Sequence, residues 1–374
     1  MKICHVTSVH PRHDIRICEK ECVSLVNAGY DVYLVVNDAE DDELYKGIHI
    51  VSTKTIDGGR IGRIINAPKR VLKKALEVNA EIYHLHDPEL LTISDKLIKK
   101  GKKVIFDAHE DTEKQIETKY WIPICFRNIV SKCFGLYSHK RFRRMTGIIS
   151  VTPSIVEKYR KYNNCISLIT NYPIISANRN IIDYSKNVDD NMPEKYVFFA
   201  GGIMKQWSHE IIIEAIKSIG GVKYLFAGKG SSEYLNYIER RGISKYMGLL
   251  SHDDVKKYYQ NAIAGMALLK SNSQVGKEGT LGNTKLFEIM EAGRPVICSD
   301  LTLWKEIVEK YNCGICVDCE DASSIADAIR YLLENPIHGD EMGYNGRKAV
   351  EKEYNWATQE RILYDLYDKI INLS

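Results

Sequence analysis

The sequence predicts an α/β protein built from two parallel-sheet units. Three observations predict it. Short β-branched and aromatic runs alternate with amphipathic helical stretches along most of the chain. The alternation breaks once, over the polar, Asn- and Asp-rich segment 174–195, and then resumes. At 374 residues, 44% hydrophobic and 27% charged, the chain can bury a core in each of two units of ordinary globular composition. The expected division is a first unit over 1–173, a linker over 174–195 and a second unit over 196–355.

In chain order, Lys2-Ile3-Cys4-His5-Val6-Thr7 reads as a first buried strand. A helix is expected from about Ile15 to Ala28, stopped by Gly29. Strands follow at Asp31 to Val36, Ile82 to His86, Val104 to His109 and Gly147 to Val151. Beyond the break come Tyr196 to Ala200, Val222 to Ala227, Gly265 to Leu269 and Pro295 to Cys298. A terminal helix runs from about Trp356 to Ile371. Runs that are apolar throughout, rather than alternating, fit strands covered on both faces.

Several classes are excluded. The net charge is only +3, although residues 1–175 carry 28 basic and 21 acidic side chains and the remainder 24 and 28. A basic half followed by an acidic half predicts two units with different partners. No stretch approaches the roughly 18 apolar residues of a membrane span. The first residues turn polar within ten positions, which predicts no secretion leader and a cytoplasmic location. The ten cysteines then read as reduced thiols. Cys313, Cys316 and Cys319 have the spacing of part of a cluster-ligand run, but Gly314 to Asp318 reads as a strand, where thiols three apart diverge. Cys18 and Cys22 read as core residues on one helix face. The first strand is followed by no glycine until Gly29, so the dinucleotide fingerprint is absent, and no P-loop occurs. No recognisable nucleic-acid module is present.

Two stretches of the second unit carry candidate chemistry. The strand Tyr196 to Ala200 ends in Gly201-Gly202 and leads to a helix with Ser208 as the expected N-cap. Such a turn serves equally as an anion site or as a tight connection. The second stretch, Glu278 to Asp300, contains a Gly-rich loop that opens a helix near Asn283. Its amides and Lys285 could hold a diphosphate, while Glu288 could accept two hydroxyl hydrogen bonds from a ribose.

This second stretch resembles the donor-site segment of glycosyltransferase family 4, whose fold is GT-B. Other segments agree in order: Tyr30-Asp31-Val32, His84 to Leu91, Phe106-Asp107-Ala108-His109-Glu110, Ala227-Gly228-Lys229-Gly230 and Tyr246 to His252. The resemblance covers nearly the whole chain. It implies two Rossmann-like domains facing an interdomain cleft that closes through the 171–195 hinge, with the C-terminal helix 356–374 crossing back to the first. It implies that Glu288 binds the nucleotide ribose, and that Gly201, Gly202, Gly228, Gly282, Asn283 and Thr284 contribute to the donor site. Thr280 stands where the family has the first acid of its Glu-x7-Glu motif, with Glu278 two residues away as the substitute. The family's phosphate-binding Arg and Lys fall near Gly202 and Trp207, so Lys205 and Lys285 become the replacement cations. His109 matches the family's cleft histidine and, with Thr280 and Glu278, forms the catalytic set. His86 and Asp87 sit on a neighbouring strand end, and Asp14 and Arg16 in the first loop; these four are the acceptor-side candidates.

The implied reaction is retaining transfer of a sugar from a nucleotide diphosphate, UDP or GDP, to a hydroxyl of a glycan or lipid-linked acceptor in bacterial cell-surface polysaccharide biosynthesis. No cofactor is expected, and without an Asp-x-Asp triplet no metal. Two basic stretches without acids, 58–76 and 119–146, interleave cations with apolar residues such as Tyr120, Trp121, Ile124, Phe126 and Leu136. They predict a peripheral place on the anionic inner face of the cell membrane. The acid missing at Thr280 keeps two alternatives open: a nucleotide-binding partner protein without turnover, and a nucleotide-sugar epimerase of the same fold.

Overall fold

The computed structural model describes residues 1–55, 59–119, 121–175, 195–271 and 275–372. Most of the expected linker, from 176 to 194, lies outside these residues, as do Tyr120 and the side chains of Arg60 and Arg63. The chain divides into one unit of Met1–Asn171 with Trp356–Ser374 and a second of Tyr172–Asn355.

In the first unit the strands are β1 (Lys2–Val6), β2 (Asp31–Val36), β3 (Glu43–Tyr45), β4 (Ile48–Ser52), β5 (Ile82–Leu85), β6 (Lys103–Ala108), β7 (Gly147–Ser150) and β8 (Ile166–Leu168). Their order is β3-β4-β2-β1-β5-β6-β7-β8. In the second unit β9 (Tyr196–Ala200), β10 (Lys223–Ala227), β11 (Ser244–Tyr246), β12 (Gly265–Ala267), β13 (Val296–Ser299) and β14 (Gly314–Val317) are ordered β11-β10-β9-β12-β13-β14. The second sheet is wholly parallel. The first is parallel except for β3, which runs antiparallel to β4 through the two-residue turn Lys46-Gly47. The central strands are dry: every residue of β5, β7 and β9 is buried. In each sheet the chain reverses its direction of strand addition next to the first strand, between β1 and β5 and between β9 and β12. Open α/β sheets bind ligands at the carboxyl ends of strands at such points.

Two helical expectations are corrected. The helix after β1 is π-helical over Ile15–Cys22 and α-helical only over Val23–Asn27. The wider turn carries Arg16, Lys20 and Glu21 into the interior together, where each is at most 5% exposed. Ser208 stands at the N-cap of the helix His209–Ile219, but in a left-handed conformation without a side-chain capping bond. The terminal helix Trp356–Asn372 packs on the first unit: Trp356 Nε1 donates to Ser24 Oγ at 2.9 Å and Tyr364 to Ser24 O at 2.8 Å. In the second unit Tyr172 lies edge-on to Phe287 and to Tyr354.

Candidate functional site

In the second unit a pocket of about 250 Å³ opens at the carboxyl ends of β9 and β10. Gly201, Gly228, Thr284, Lys285 and Glu288 line it, with Leu249, Leu250 and His252 along its rim. Lys285 and Glu288 occupy the first turn of the helix Lys285–Glu291, three residues apart and therefore on one face. The Lys285 ammonium lies 4.3 Å from the Trp207 ring centroid and 5.2 Å from that of Phe199. Burial pulls its pKa below the ordinary lysine value, while Glu288 pulls it back up.

The glycines are there for space. Gly228 has φ +130°, and a Cβ on it would stand 1.9 Å from Gly201 O. A Cβ on Gly201, at φ +137°, would stand 2.3 Å from Lys285 Nζ. Side chains are thus excluded where two backbones and a cation converge. Not every expected donor contact is in this pocket. Lys205 is exposed on a short 3₁₀ turn and does not line it, nor do Gly202, Gly282 and Asn283. Two loop amides already have partners: Gly282 N donates to Thr280 Oγ1 at 3.0 Å, and Lys285 N to Asn283 Oδ1 at 3.1 Å. Asn283 thus holds the first helical amide from one residue before the N-cap, Thr284, whose own side chain makes no capping bond. Thr280 also accepts from Trp304 Nε1 through its carbonyl, and the Glu278 side chain is exposed; neither residue lines the pocket.

The first unit gathers its own candidates at the carboxyl ends of β1, β5 and β6. Asp87 is buried and accepts from Thr7 Oγ1 at 2.9 Å, Ser8 N at 2.5 Å and Ser8 Oγ at 3.1 Å, so it ties β5 to the loop after β1. Asp14 accepts the amides of Arg16 and Ile17, and its second oxygen lies 3.2 Å from His10 Nδ1. Arg16 is turned inward: it donates to both oxygens of Asp107, at 2.9 and 3.2 Å, and to Ile169 O at 3.0 Å. His86 is buried, and its ring stacks against that of His109 at 5.8 Å. His109 Nε2 lies 3.6 Å from Asp107 Oδ2. Burial takes the His109 imidazole down to about 4, against the opposing pull of Asp107, so it is neutral at pH 7. Sequence reasoning missed the depth of this network. His5, Glu21 and Tyr367 join it and were not singled out, although His5, His84 and His86 on neighbouring strand segments were a legible sign.

Two thiols of the second unit pack as strand residues. Cys298 and Cys316 are register partners on β13 and β14 with sulfurs 3.7 Å apart, and Cys319 lies against Leu269 O.

Residues 180–349 match the family model described as glycosyl transferases group 1. Every residue lining the pocket of the second unit falls within this match. A stretch of 153 residues is 27% identical to a phosphatidyl-myo-inositol mannosyltransferase of Mycobacterium leprae (strain TN). It covers 40% of this chain and 38% of that relative, so the chain spans well under half the relative's length. Among solved structures, a sucrose-phosphate synthase from Thermosynechococcus elongatus aligns over 100% of both chains with a TM-score of 0.76 at 14% identity. The Anabaena protein HepE in complex with UDP aligns over 98% of this chain and 100% of its own, with a TM-score of 0.69 at 10% identity. A glycosyltransferase from Rickettsia africae ESF-5 aligns over 100% and 99%, with a TM-score of 0.70 at 14% identity. These likenesses establish the fold of the chain, which is GT-B.

Proposed function

We propose that the chain is a retaining glycosyltransferase that moves a sugar from a UDP- or GDP-sugar to a hydroxyl of a glycan or lipid-linked acceptor, in bacterial cell-surface polysaccharide biosynthesis. One observation carries the reading: the Lys285 ammonium and the Glu288 carboxylate share a pocket also lined by Gly201 and Gly228. A cation beside a carboxylate matches a diphosphate beside a ribose. In transfer, negative charge grows on the leaving diphosphate, and a fixed cation in a half-buried site stabilises it without reorganising. That role falls to Lys285, with Lys205 as an outer cation, and needs no metal at the diphosphate. Neutral His109 is suited to donate or accept one hydrogen bond near the transferred sugar. Acceptor recognition is assigned to the first unit, at the edge formed by Asp14 and Asp87; His86, expected there too, is 1% exposed and lies beneath that edge. Glu278 and Thr280 flank the loop that leads to Lys285.

A thermal-shift panel of UDP, GDP, ADP, CMP and dTDP tests the pocket. One diphosphate should raise the melting temperature, since a ligand bound only to the native state stabilises it. Glu288→Gln should weaken that nucleotide about 10- to 100-fold, the worth of charge-assisted hydrogen bonds, with little change for its 2′,3′-dideoxy form. A panel without any shift would end the proposal. Binding with neither transfer nor hydrolysis would point to a non-catalytic partner protein, and acceptor-independent epimer formation to an epimerase.

The membrane reading draws on the helix Ile124–Phe142. Its buried residues are Ser131, Gly135, Ser138 and, at its end, Phe142, while Ile124, Phe126, Ile129 and Leu136 are each more than half exposed. Lys132, Lys140 and Arg143 are exposed on or beside the same helix. Part of the basic excess is spent internally, because Arg141 and Arg144 both pair with Asp95. Among the described residues no helix is long and apolar enough to cross a membrane. The arrangement therefore suits a helix lying in an anionic surface. Replacing Ile124, Phe126 and Leu136 together by Ser should cut flotation with phosphatidylglycerol vesicles about tenfold or more. Equal flotation of both proteins would remove the membrane from the proposal.

A further inference from the structure

Beneath the first unit's sheet edge lies a cluster that the transfer reaction does not use. His5 on β1 and His84 on β5 are register partners, His86 follows two residues later, and Glu21 enters from the π-helical segment. All four are at most 1% exposed. Glu21 Oε2 stands 3.9 Å from His5 Nδ1, 3.9 Å from His84 Nδ1 and 4.0 Å from His86 Nε2. His5 Nδ1 and His86 Nε2 are 2.9 Å apart. One ligand atom from each residue lies within 4.8 Å of all the others. Bonds of 2.0–2.1 Å to a tetrahedral ion place its ligands roughly 3.4 Å apart, and the separations above bracket that value.

Two further observations point to a cation. The first is charge. Neither oxygen of Glu21 accepts a hydrogen bond. Glu21 Oε1 and Asp107 Oδ2 face the same Arg16 Nε, at 3.2 and 2.9 Å, so two buried carboxylates share one guanidinium. The surplus negative charge calls for a proton or a metal ion. The second is the outer groups. His86 turns its far nitrogen, Nδ1, toward Asp107 Oδ2 at 3.6 Å, and His5 turns its Nε2 toward the Tyr367 hydroxyl at 3.4 Å. A carboxylate or hydroxyl behind the distal nitrogen is how metal-bound histidines are oriented.

We propose that His5, Glu21, His84 and His86 bind one divalent ion of the zinc class as a closed structural site. Three imidazoles and one carboxylate suit that class. The ion takes the place of the proton held between His5 Nδ1 and His86 Nε2, the ring that carried it takes a proton on its far nitrogen instead, His5 Nε2 facing Tyr367 or His86 Nδ1 facing Asp107, and the Tyr367 hydroxyl, 3.0 Å from His84 Nδ1, releases that nitrogen and keeps His5 Nε2. It ties β1, β5 and the π-helical segment together. It belongs to the first unit, whereas the pocket proposed for the donor belongs to the second.

The test uses the full-length protein, purified without chelator and then dialysed against excess Zn²⁺ and desalted. Elemental analysis should find one zinc per chain, and removal of zinc by a chelator should lower the melting temperature by about 5 °C or more, reversibly. Co²⁺ substitution should give the intense visible bands of a tetrahedral site, and His84→Gln should abolish them. Should that variant not fold, the cobalt spectrum and chelator response of the unaltered chain still decide. Substoichiometric metal with no cobalt band and no chelator effect would mean an adventitious ion only, and would overturn the site. The nucleotide thermal shift reads the second unit and stands or falls separately.

Discussion

Lys285→Met should lower affinity for the bound nucleoside diphosphate by about 2–4 kcal/mol, roughly 30- to 1000-fold, while the parent nucleoside loses little. The ammonium sits against two aromatic faces and above Gly201, so little besides Glu288 competes with a phosphate for it. The pH dependence has a definite sign. Burial depresses the Lys285 pKa, so the free protein sheds this proton below the 10.5 of an ordinary lysine. Between the depressed value and 10.5 the unfolded chain holds more protons than the folded one, and folding stability therefore rises with pH there. Diphosphate affinity should fall across the same window, because the cation is being lost. A bound diphosphate raises the pKa again and moves the fall upward. Lys285→Arg, charged throughout, should bind with no such fall. Calorimetric titration of the nucleotide between neutral pH and pH 10, beside melting curves of the free protein, would show both slopes. Affinity that stays flat with pH in the unaltered protein would mean that Lys285 does not touch the phosphates.

What the sequence disclosed, and what it hid, follows the range of the forces involved. Strands such as Tyr196–Ala200 announce themselves because a strand covered on both faces must be apolar at every position. Lys285 and Glu288 were legible because a loop, a cap and one helical turn place them, all within ten residues. The edge strands β3, β8 and β11, and β4 beside β3, were not predicted. They are short, and their polar residues face solvent on at least one side, as in Glu43–Tyr45. The turn Lys46-Gly47 between Tyr45 and Ile48 was the missed sign of the hairpin. The pocket rim at Leu249, Leu250 and His252 reaches Gly228 only through the parallel pairing of β10 with β11 and the bond from Gly228 N to Gly248 O. No local pattern specifies that pairing. Arg16 was expected on the acceptor side for the same reason: its partner Asp107 lies 91 residues further along the chain.

Arg16 supplies the largest expected loss of stability. Its guanidinium is 5% exposed, donates to both oxygens of Asp107 and to Ile169 O, and faces Glu21 as well. Burial opposes the ionisation of Asp107, yet Arg16, helped by His109 and His86, holds that carboxyl well below the ordinary range. Removing the cation leaves two buried carboxylates facing each other with no permanent positive charge between them. Arg16→Met should cost about 3–5 kcal/mol, as does breaking a buried pair from one side. Arg16→Lys should recover only a part, since a single ammonium cannot span both Asp107 oxygens and the Ile169 carbonyl. Adding Asp107→Asn to Arg16→Met should cost less than the sum of the two single changes, with a coupling of about 1–3 kcal/mol. Denaturant unfolding followed separately for the two units gives the numbers, and nucleotide affinity in the second unit serves as the control, expected to change less than about twofold. An arginine that instead bound acceptor would behave in the opposite way. Arg16→Met would then leave the unfolding midpoint of the first unit in place and raise the acceptor KM alone.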